Sequence, residues 1–282
     1  MRNAIKLTTT LLAAGGLALG LTACGSDSSS STSAGSPAGS SDKALVVAAS
    51  PTPHALILTY VKDHLAAKAG LKLEIKEVTD YVTPNTAVQD GSADANFFQH
   101  QPYLDDFNKQ HGTDIVSVEP VHLEPLGVYS KKVKSLAELP SGATVAVPND
   151  ATNEGRALKL LADNNVITLK DGAGTTATVR DITGNPKNLK WKELEAAQLP
   201  RALADVDAAV INGNYALDSG LKPATDAIAV EKAEGNPYAN ILAVKKGKES
   251  DPRVKKLAEL LHSPEVKKYI EDTFNGSVIP AF

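Results

Sequence analysis

Four short segments concentrate polar and aromatic residues where a strand should end or a helix should begin. They are residues 80–85 (DYVTPN), 96–103 (NFFQHQPY), 148–156 (PNDATNEGR) and 211–215 (INGNY). Such side chains can hydrogen-bond to a small polar ligand and stack against it, and in α/β folds ligands bind at the carboxyl ends of the strands. The same Asn, Asp, Thr and Pro residues also cap helices and form turns, so any one segment taken alone favours a structural role.

Motifs of known catalytic chemistry are missing from the sequence. It contains no G-x-S-x-G nucleophile motif, no G-x-x-x-x-G-K phosphate loop and no H-E-x-x-H metal motif. Residues 172–177 (GAGTTA) fit the loose dinucleotide pattern, but they stand in a polar turn rather than at the start of an amphipathic helix. The six histidines form no i, i+4 pair, although a metal site assembled from distant segments remains an alternative.

The composition is that of a soluble globular protein and excludes several other classes. Of the 282 residues, 42% are hydrophobic and 22% are charged, which rules out wholesale disorder and a protein with many membrane spans. Lys and Arg number 29 against 33 Asp and Glu, and the net charge of -4 argues against a nucleic-acid binder. The single cysteine excludes an internal disulfide and a cysteine-rich metal cluster.

The first 42 residues carry targeting and linker signals. Residues 1–23 are predicted to be a lipoprotein signal peptide, because a basic start precedes an apolar run (LLAAGGLALGL) that is too short to span a bilayer. The run leads into LTAC, which resembles the bacterial lipobox, so Cys24 is the predicted lipidation site. Residues 24–42, rich in serine and glycine, are predicted to be a flexible tether. We therefore expect a lipid-anchored protein on the extracytoplasmic face of the cell membrane.

Strand-like and helical patterns alternate along the rest of the chain. Apolar runs predict buried strands, among them residues 44–49, 144–147, 208–211 and 241–244. Proline or a capping residue opens most of the predicted helices that lie between and after them. This alternation predicts an α/β fold with a largely parallel sheet. The pattern does not choose between one domain and two lobes through which the chain passes twice.

Several segments together resemble the NlpA lipoprotein family. They are residues 81–85 (YVTPN), 97–104 (FFQHQPYL), 129–158, 185–189 (NPKNL), 193–203 (ELEAAQLPRAL) and 209–216 (AVINGNYA). The resemblance extends over residues 43–282 and implies a two-lobed, type II-like periplasmic-binding-protein fold with a double crossover and a ligand cleft between the lobes. It places lobe I at residues 43–128 plus 234–282, and lobe II at residues 129–233.

The best-known members of this family are the methionine-binding lipoproteins of methionine ABC importers, so the resemblance implies a pocket for a zwitterionic amino acid. Arg156 matches the family arginine on the ligand carboxylate, which a guanidinium can hold in a two-point fork. Asn212 matches the family asparagine near the ligand's polar end, where its amide oxygen can accept from the ammonium. Asn153 is a second candidate there. An aromatic wall is expected from the other lobe, formed by Tyr81, Phe98, His100 and His122.

The sequence therefore predicts a solute-binding protein that captures methionine, in its L or D form, and delivers it to the permease and ATPase subunits of an ABC importer. We expect a monomer without catalytic residues, bound metal, cofactor or nucleic-acid partner. Only closure of the lobes brings both walls to the ligand, so ligand should favour the closed form. The alternatives are a family member for another apolar amino acid or a methionine-containing dipeptide, an unrecognised surface enzyme, and a metal-uptake receptor.

Overall fold

The structure is a computed structural model that describes residues 43–282. The predicted signal peptide, Cys24 and the tether lie outside the described residues. Within residues 43–282, no helix combines the length and the apolar character needed to cross a membrane.

Thirteen strands and nine α-helices run along the described residues. The strands are β1 (Leu45–Ala49), β2 (Leu73–Glu77), β3 (Ala95–His100), β4 (Ile115–Leu123), β5 (Gly127–Tyr129), β6 (Thr144–Pro148), β7 (Thr168–Leu169), β8 (Ile182–Gly184), β9 (Lys190–Leu194), β10 (Ala208–Ile211), β11 (Ala229–Val230), β12 (Ala239–Lys245) and β13 (Ile279–Pro280). The helices are α1 (Leu56–Val61), α2 (Thr83–Asp90), α3 (Gln101–His111), α4 (Ala151–Asp163), α5 (Leu199–Ala202), α6 (Gly213–Asp218), α7 (Pro223–Asp226), α8 (Pro252–Leu261) and α9 (Pro264–Phe274). Wider π-helical turns, Pro51–Ala55 and Lys62–Ala66, flank α1.

Lobe I is built on a six-stranded sheet with the order β13-β4-β12-β3-β1-β2. Strand β1 is buried on both faces because helices cover both sides of the sheet. Leu45 and Val47 pack into one core with residues of α1, α8 and α9, whereas Ala48 packs into the other with residues of α2 and α3. A strand buried on both faces reads as a continuous apolar run, which is why LVVAA is recognisable from the sequence.

Lobe II is built on a five-stranded sheet with the order β11-β5-β10-β6-β9. Helix α4 covers one face of this sheet with Ala157, Leu158 and Leu161, which are buried with Val145 and Val210. The other face packs against α5 and α6. Each lobe therefore has its own hydrophobic cores.

Two segments connect the lobes. The chain leaves lobe I after β4 and enters lobe II at β5, and it returns between β11 and β12. Strand β5 starts at Gly127, two residues before the expected start of lobe II at residue 129. The strands of lobe I come from residues 45–123 and 239–280, and those of lobe II from residues 127–230.

The expectation of a largely parallel sheet is wrong, since both sheets are mixed. Strand β1 is parallel to β2 and β3, but β12 is antiparallel to β3 and β4, and β13 is antiparallel to β4. In lobe II, β10 is parallel to β6 but antiparallel to β5. The double crossover is the reason, because a strand that enters a lobe from the other lobe runs against the strands already there.

Candidate functional site

A cavity lies between the lobes and is lined by residues of both. The lining residues are Tyr81, Phe98, Gln99, His100, Tyr103, Glu124, Asn153, Arg156, Asn212, Gly213, Asn214 and Asn240.

On the lobe I side, the cavity wall is the end of β3 and the start of α3. All six residues of β3 are buried, and side-chain amides tie the strand to the first turn of α2. Asn85 donates to Gln99 Oε1 at 2.8 Å, and Gln99 donates back to Asn85 Oδ1 at 2.7 Å. Asn96 also donates to Asn85 Oδ1, at 2.8 Å. This buried network fixes the strand that carries Phe98 and His100.

His100 caps helix α3 and reaches across to lobe II. Its Nδ1 accepts the backbone N–H of Tyr103 at 3.2 Å, so the ring proton lies on Nε2, which donates to Asn153 Oδ1 at 3.2 Å. Burial, together with the nearby charge of Arg156, lowers the pKa of His100 to about 3. The imidazole is therefore neutral and acts as an oriented donor.

On the lobe II side, two helix starts converge on the cavity. Asp150 caps α4 by accepting the backbone N–H of Asn153 at 3.0 Å, and it also accepts the Asn153 side-chain amide at 2.9 Å. Asn212 follows β10 directly and begins α6. Its Nδ2 donates to Asn153 Oδ1 at 2.9 Å. The polar segments at residues 148–156 and 211–215 therefore lie side by side, as expected for neighbouring parallel strands β6 and β10.

Arg156 lies one turn into α4 and forms what we call the Arg156 cluster with Glu231 and Tyr238. Its Nε and Nη2 donate to the Glu231 carboxylate at 2.9 and 2.5 Å, and Nη2 also donates to the backbone carbonyl of Glu124 at 2.9 Å. The guanidinium stands 4.3 Å from the centre of the Tyr238 ring. Burial alone would raise the pKa of Glu231, but the charge and hydrogen bonds of Arg156 outweigh it and leave the pKa below its ordinary value.

The two-point fork that the sequence assigned to a ligand is thus occupied by Glu231. Both Nε and Nη2 face that carboxylate. Glu231 lies in the returning crossover, 75 positions from Arg156, and no local pattern links the two residues. The sequence analysis did not anticipate this pairing.

Glu124 is the anionic group of the cavity, and sequence reasoning missed it. Its Oε1 lies 2.8 Å from His122 Nε2 and 3.2 Å from His54 Nε2, and all three side chains are buried. We call these residues the Glu124 cluster. Burial raises the pKa of the Glu124 carboxyl and lowers those of His54 and His122 to about 4 and about 3. The only local signal is the H-x-E spacing of residues 122–124 at the end of β4.

Two buried amide atoms on the cavity wall have no hydrogen-bond partner among residues 43–282. They are Asn212 Oδ1, an acceptor, and Asn214 Nδ2, a donor. Buried polar atoms are nearly always paired, so such a complementary pair is typical of a place where a polar ligand binds. Asn212 Oδ1 is the atom that the sequence offered to a ligand ammonium.

Aromatic rings of lobe I also line the cavity. The Tyr81 ring lies 5.8 Å from Phe98 and 5.7 Å from Tyr103, centre to centre. Tyr81 Oη donates to Asn214 Oδ1 of lobe II at 2.6 Å, and Tyr215 Oη donates to the carbonyl of Thr79 at 2.9 Å. These bonds across the cleft show that the two lobes are closed on each other.

Six of the seven predicted ligand-binding residues lie on this one cavity, and His122 is the exception. Its side chain is fully buried behind Glu124, between Phe97 and His54, rather than on the cavity wall. The sequence showed that His122 ends a strand, but it could not show that Glu124 stands between the ring and the ligand.

The Glu124 cluster also contains a possible metal-ligand set. His54, His122 and Glu124 offer three donor atoms within 4.8 Å of one another. Two histidines and a carboxylate are a zinc-binding combination in other proteins. The same geometry is satisfied by hydrogen bonds alone, since His54 Nε2 also lies 3.0 Å from Asn240 Oδ1.

Comparison with known proteins gives a consistent result. The family model described as NlpA lipoprotein matches residues 45–282. The chain is similar to the methionine-binding lipoprotein MetQ of Bacillus subtilis (strain 168), with 43% identity over 265 residues that cover 92% of this chain and 93% of that protein.

Two solved structures are similar in fold and in sequence. One is a nutrient binding protein from Burkholderia cenocepacia bound to methionine, with a TM-score of 0.82 and 51% identity, covering 84% of this chain and 100% of that one. The other is an ABC transporter periplasmic substrate-binding protein from Coxiella burnetii, with a TM-score of 0.81 and 44% identity, covering 84% of this chain and 100% of that one. The expected two-lobed α/β fold is confirmed.

Proposed function

The chain belongs to the NlpA lipoprotein family, and from that membership we propose that it is a solute-binding protein that captures methionine and delivers it to an ABC importer. The names of its relatives support methionine as the ligand and the ABC transporter as the destination. The protein binds its ligand and releases it chemically unchanged.

One observation carries this proposal. One cavity between the two lobes is lined by a guanidinium, a carboxylate, a free amide acceptor, a free amide donor and several aromatic rings. A free amino acid is a zwitterion with a side chain, so it needs both charges and an apolar wall.

The two charged ends of the ligand have separate partners. The carboxylate meets Nη1 of Arg156 and the donor amide of Asn214, while the ammonium meets Glu124 and Asn212 Oδ1. The thioether packs against Tyr81, Phe98 and Tyr103. Sulfur–aromatic contact contributes about 0.3–1.5 kcal/mol beyond the burial of the side chain, and this favours methionine over other apolar amino acids.

Ligand binding favours closure because each lobe supplies part of the site. Tyr81, Phe98 and Glu124 come from lobe I or the segment that leaves it, whereas Arg156 and Asn212 come from lobe II. Only the closed form makes both sets of contacts, so ligand shifts the population toward it. The permease and ATPase subunits of the importer then recognise the closed receptor.

We propose that a lipid on Cys24 keeps the receptor at the membrane. Replacing Cys24 by Ser should release the protein into the soluble fraction and leave methionine affinity unchanged. A variant that still sediments with membranes would contradict the anchor.

Calorimetric titration tests the proposed ligand. The full chain, purified in detergent, should bind methionine with one-to-one stoichiometry and bind alanine much more weakly, because alanine lacks a side chain that reaches the aromatic wall. Mass spectrometry after long incubation at equal concentrations should recover unchanged methionine. Absence of binding, or conversion of the ligand, would overturn the proposal.

A further inference from the structure

The Glu124 cluster is built around one carboxylate oxygen. His122 Nε2 lies 2.8 Å from Glu124 Oε1, and His54 Nε2 lies 3.2 Å from the same atom. Both imidazoles are fully buried, and neither is among the residues that line the cavity. They therefore act on a ligand only through residues that do line it, which are Glu124 for both rings and also Asn240 for His54.

The hydrogen-bond partners determine which way the His54 proton points. Nε2 of His54 faces two acceptors, Glu124 Oε1 and Asn240 Oδ1 at 3.0 Å, so Nε2 is the protonated nitrogen and donates. Within residues 43–282, Nδ1 of His54 and Nδ1 of His122 have no hydrogen-bond partner. The Nε2 atom of each ring thus points toward Glu124 Oε1.

The other side of the carboxylate is held by the start of α6. The backbone N–H of Asn214 donates to the Glu124 carboxylate. Gly213 packs so closely that a Cβ there would stand 2.7 Å from Glu124 Cβ and 3.2 Å from Oε2. Side chains from lobe I and backbone from lobe II therefore fix Glu124 together, and the carboxylate has one orientation in the closed form.

We propose that His54 and His122 are positioning residues that aim the Glu124 carboxylate at the ligand ammonium, and that they thereby make the receptor select ligands with a free α-ammonium group. This inference rests on the proposed function, because it assigns a requirement to the same site. It predicts weak binding of methionine analogues that keep the carboxylate and thioether but lack the charged amine.

A comparison of two ligands isolates the contribution of the amine to binding. Methionine and its α-hydroxy acid analogue differ at the α substituent, where a hydroxyl replaces the ammonium. Calorimetric titration of the full chain in detergent should give wild type a preference for methionine of at least about 10-fold, since hydrogen bonds to charged groups are worth this much. Glu124→Gln should reduce the preference to less than about 3-fold.

Variants of the two histidines test the positioning role. His122→Phe keeps the ring volume but removes the donor, and it should weaken methionine binding about 10-fold while changing hydroxy-acid binding less than about 3-fold. His54→Phe should likewise weaken methionine binding more than hydroxy-acid binding. His122→Gln restores an N–H donor and should recover most of the preference for methionine.

A destabilised control separates positioning from general loss of structure. Leu257 is fully buried in the core of lobe I, far along the chain from the cluster. Leu257→Ala should lower the melting temperature by leaving a void, and it should keep the wild-type ratio of the two affinities. If His122→Phe lowers stability but leaves that ratio unchanged, the histidines are merely structural and the inference fails.

The remaining outcomes are distinguishable. Equal binding of both ligands by wild type overturns the ammonium requirement but leaves methionine capture standing, whereas no binding of methionine overturns the proposed function itself. Titration with Zn²⁺ covers the metal alternative. Uptake of one Zn²⁺ per chain by wild type, lost in Glu124→Gln, would make the cluster a metal site and overturn the inference.

Discussion

The two charged groups of the cavity are supported in opposite ways. Arg156 is paired with an anion, since Glu231 accepts from both its Nε and its Nη2, and the pair lowers the pKa of Glu231. Glu124 is held by two imidazoles whose pKa values are lowered by burial, and its own pKa is raised. The positive group is therefore neutralised by the protein, whereas the negative group is surrounded by neutral donors.

This difference indicates what each group contributes to a zwitterionic ligand. Glu124 feels the nearby charge of Arg156 but has no directly paired cation in the described part of the chain. A buried carboxylate without such a partner is costly, and a ligand ammonium relieves that cost. A guanidinium that already has a counter-charge adds orientation and one further donor. We infer that binding of the ligand ammonium lowers the free-energy cost of burying the Glu124 carboxylate. The Arg156 cluster connects the bound ligand to the returning crossover, where Glu231 lies.

The largest effect should come from removing the positive group. Arg156→Ala leaves the partly buried Glu231 without its partner and removes the ligand's cationic contact, so methionine affinity should fall roughly 30-fold to several thousand-fold. Arg156→Lys should also lower the affinity, because a lysine ammonium cannot donate hydrogen bonds to Glu231, the Glu124 carbonyl and a ligand at the same time. Calorimetry measures both variants, with Arg201→Ala on the exposed face of α5 as the control. Equal affinities across the series would contradict the assignment of Arg156.

Acidification should destabilise the protein through its buried histidines. His54, His100 and His122 have pKa values near 4, 3 and 3 in the folded chain, below the ordinary value of 6.5. Below about pH 6.5 the unfolded chain binds protons that the folded chain does not, so the free energy of unfolding falls as the pH is lowered. We expect the melting temperature to drop by about 5 °C or more between pH 7 and pH 5.

Circular dichroism melts at constant ionic strength measure this drop. His122→Gln removes one of the titrating groups and should flatten the profile, whereas His64→Gln changes an exposed ring and should leave the profile as in wild type. A melting temperature that stays constant or rises toward pH 5 would show that the histidines are not held neutral.

Two isosteric substitutions contrast the clusters directly. The lowered pKa of Glu231 means that its ionised form stabilises the fold at neutral pH, so Glu231→Gln should lower the melting temperature by about 3–6 °C. The raised pKa of Glu124 means that its ionised form does not stabilise the fold. Glu124→Gln should therefore change the melting temperature of the ligand-free protein by less than about 2 °C or increase it. Differential scanning calorimetry at pH 7 without ligand compares them. A larger loss in Glu124→Gln would reverse the comparison.

The smallest effect concerns the ring beside Arg156. Tyr238 stands 4.3 Å from the guanidinium, and cation–π contacts of this kind contribute about 0.5–2 kcal/mol. Tyr238→Leu should therefore weaken methionine binding about 2- to 30-fold, while Tyr238→Phe keeps the ring and should bind as wild type. If Leu and Phe behave alike, the ring only fills space.

Much of the secondary structure and most of the cavity wall follow from local sequence patterns. The buried strands β1, β6, β10 and β12 are continuous apolar runs, and the caps of α4 and α9 are an Asp and a Ser whose side chains accept backbone N–H groups. Polar residues after β6 and β10 lie on the cavity because neighbouring parallel strands end at one edge. Strand β3 is harder to predict from the sequence, because ANFFQH is buried along its whole length although half of its residues are polar.

The sequence by itself determined the elements, the polar segments at their ends and the family. The tertiary structure alone decided the mixed direction of the sheets, the position of His122 behind Glu124, and the pairing of Arg156 with Glu231. Helices, strands and caps depend on contacts within a few residues, so their signals are local. The two clusters join residues that are far apart in the chain, such as Arg156 and Glu231, 75 positions apart. Only the folded path of the chain brings such residues together.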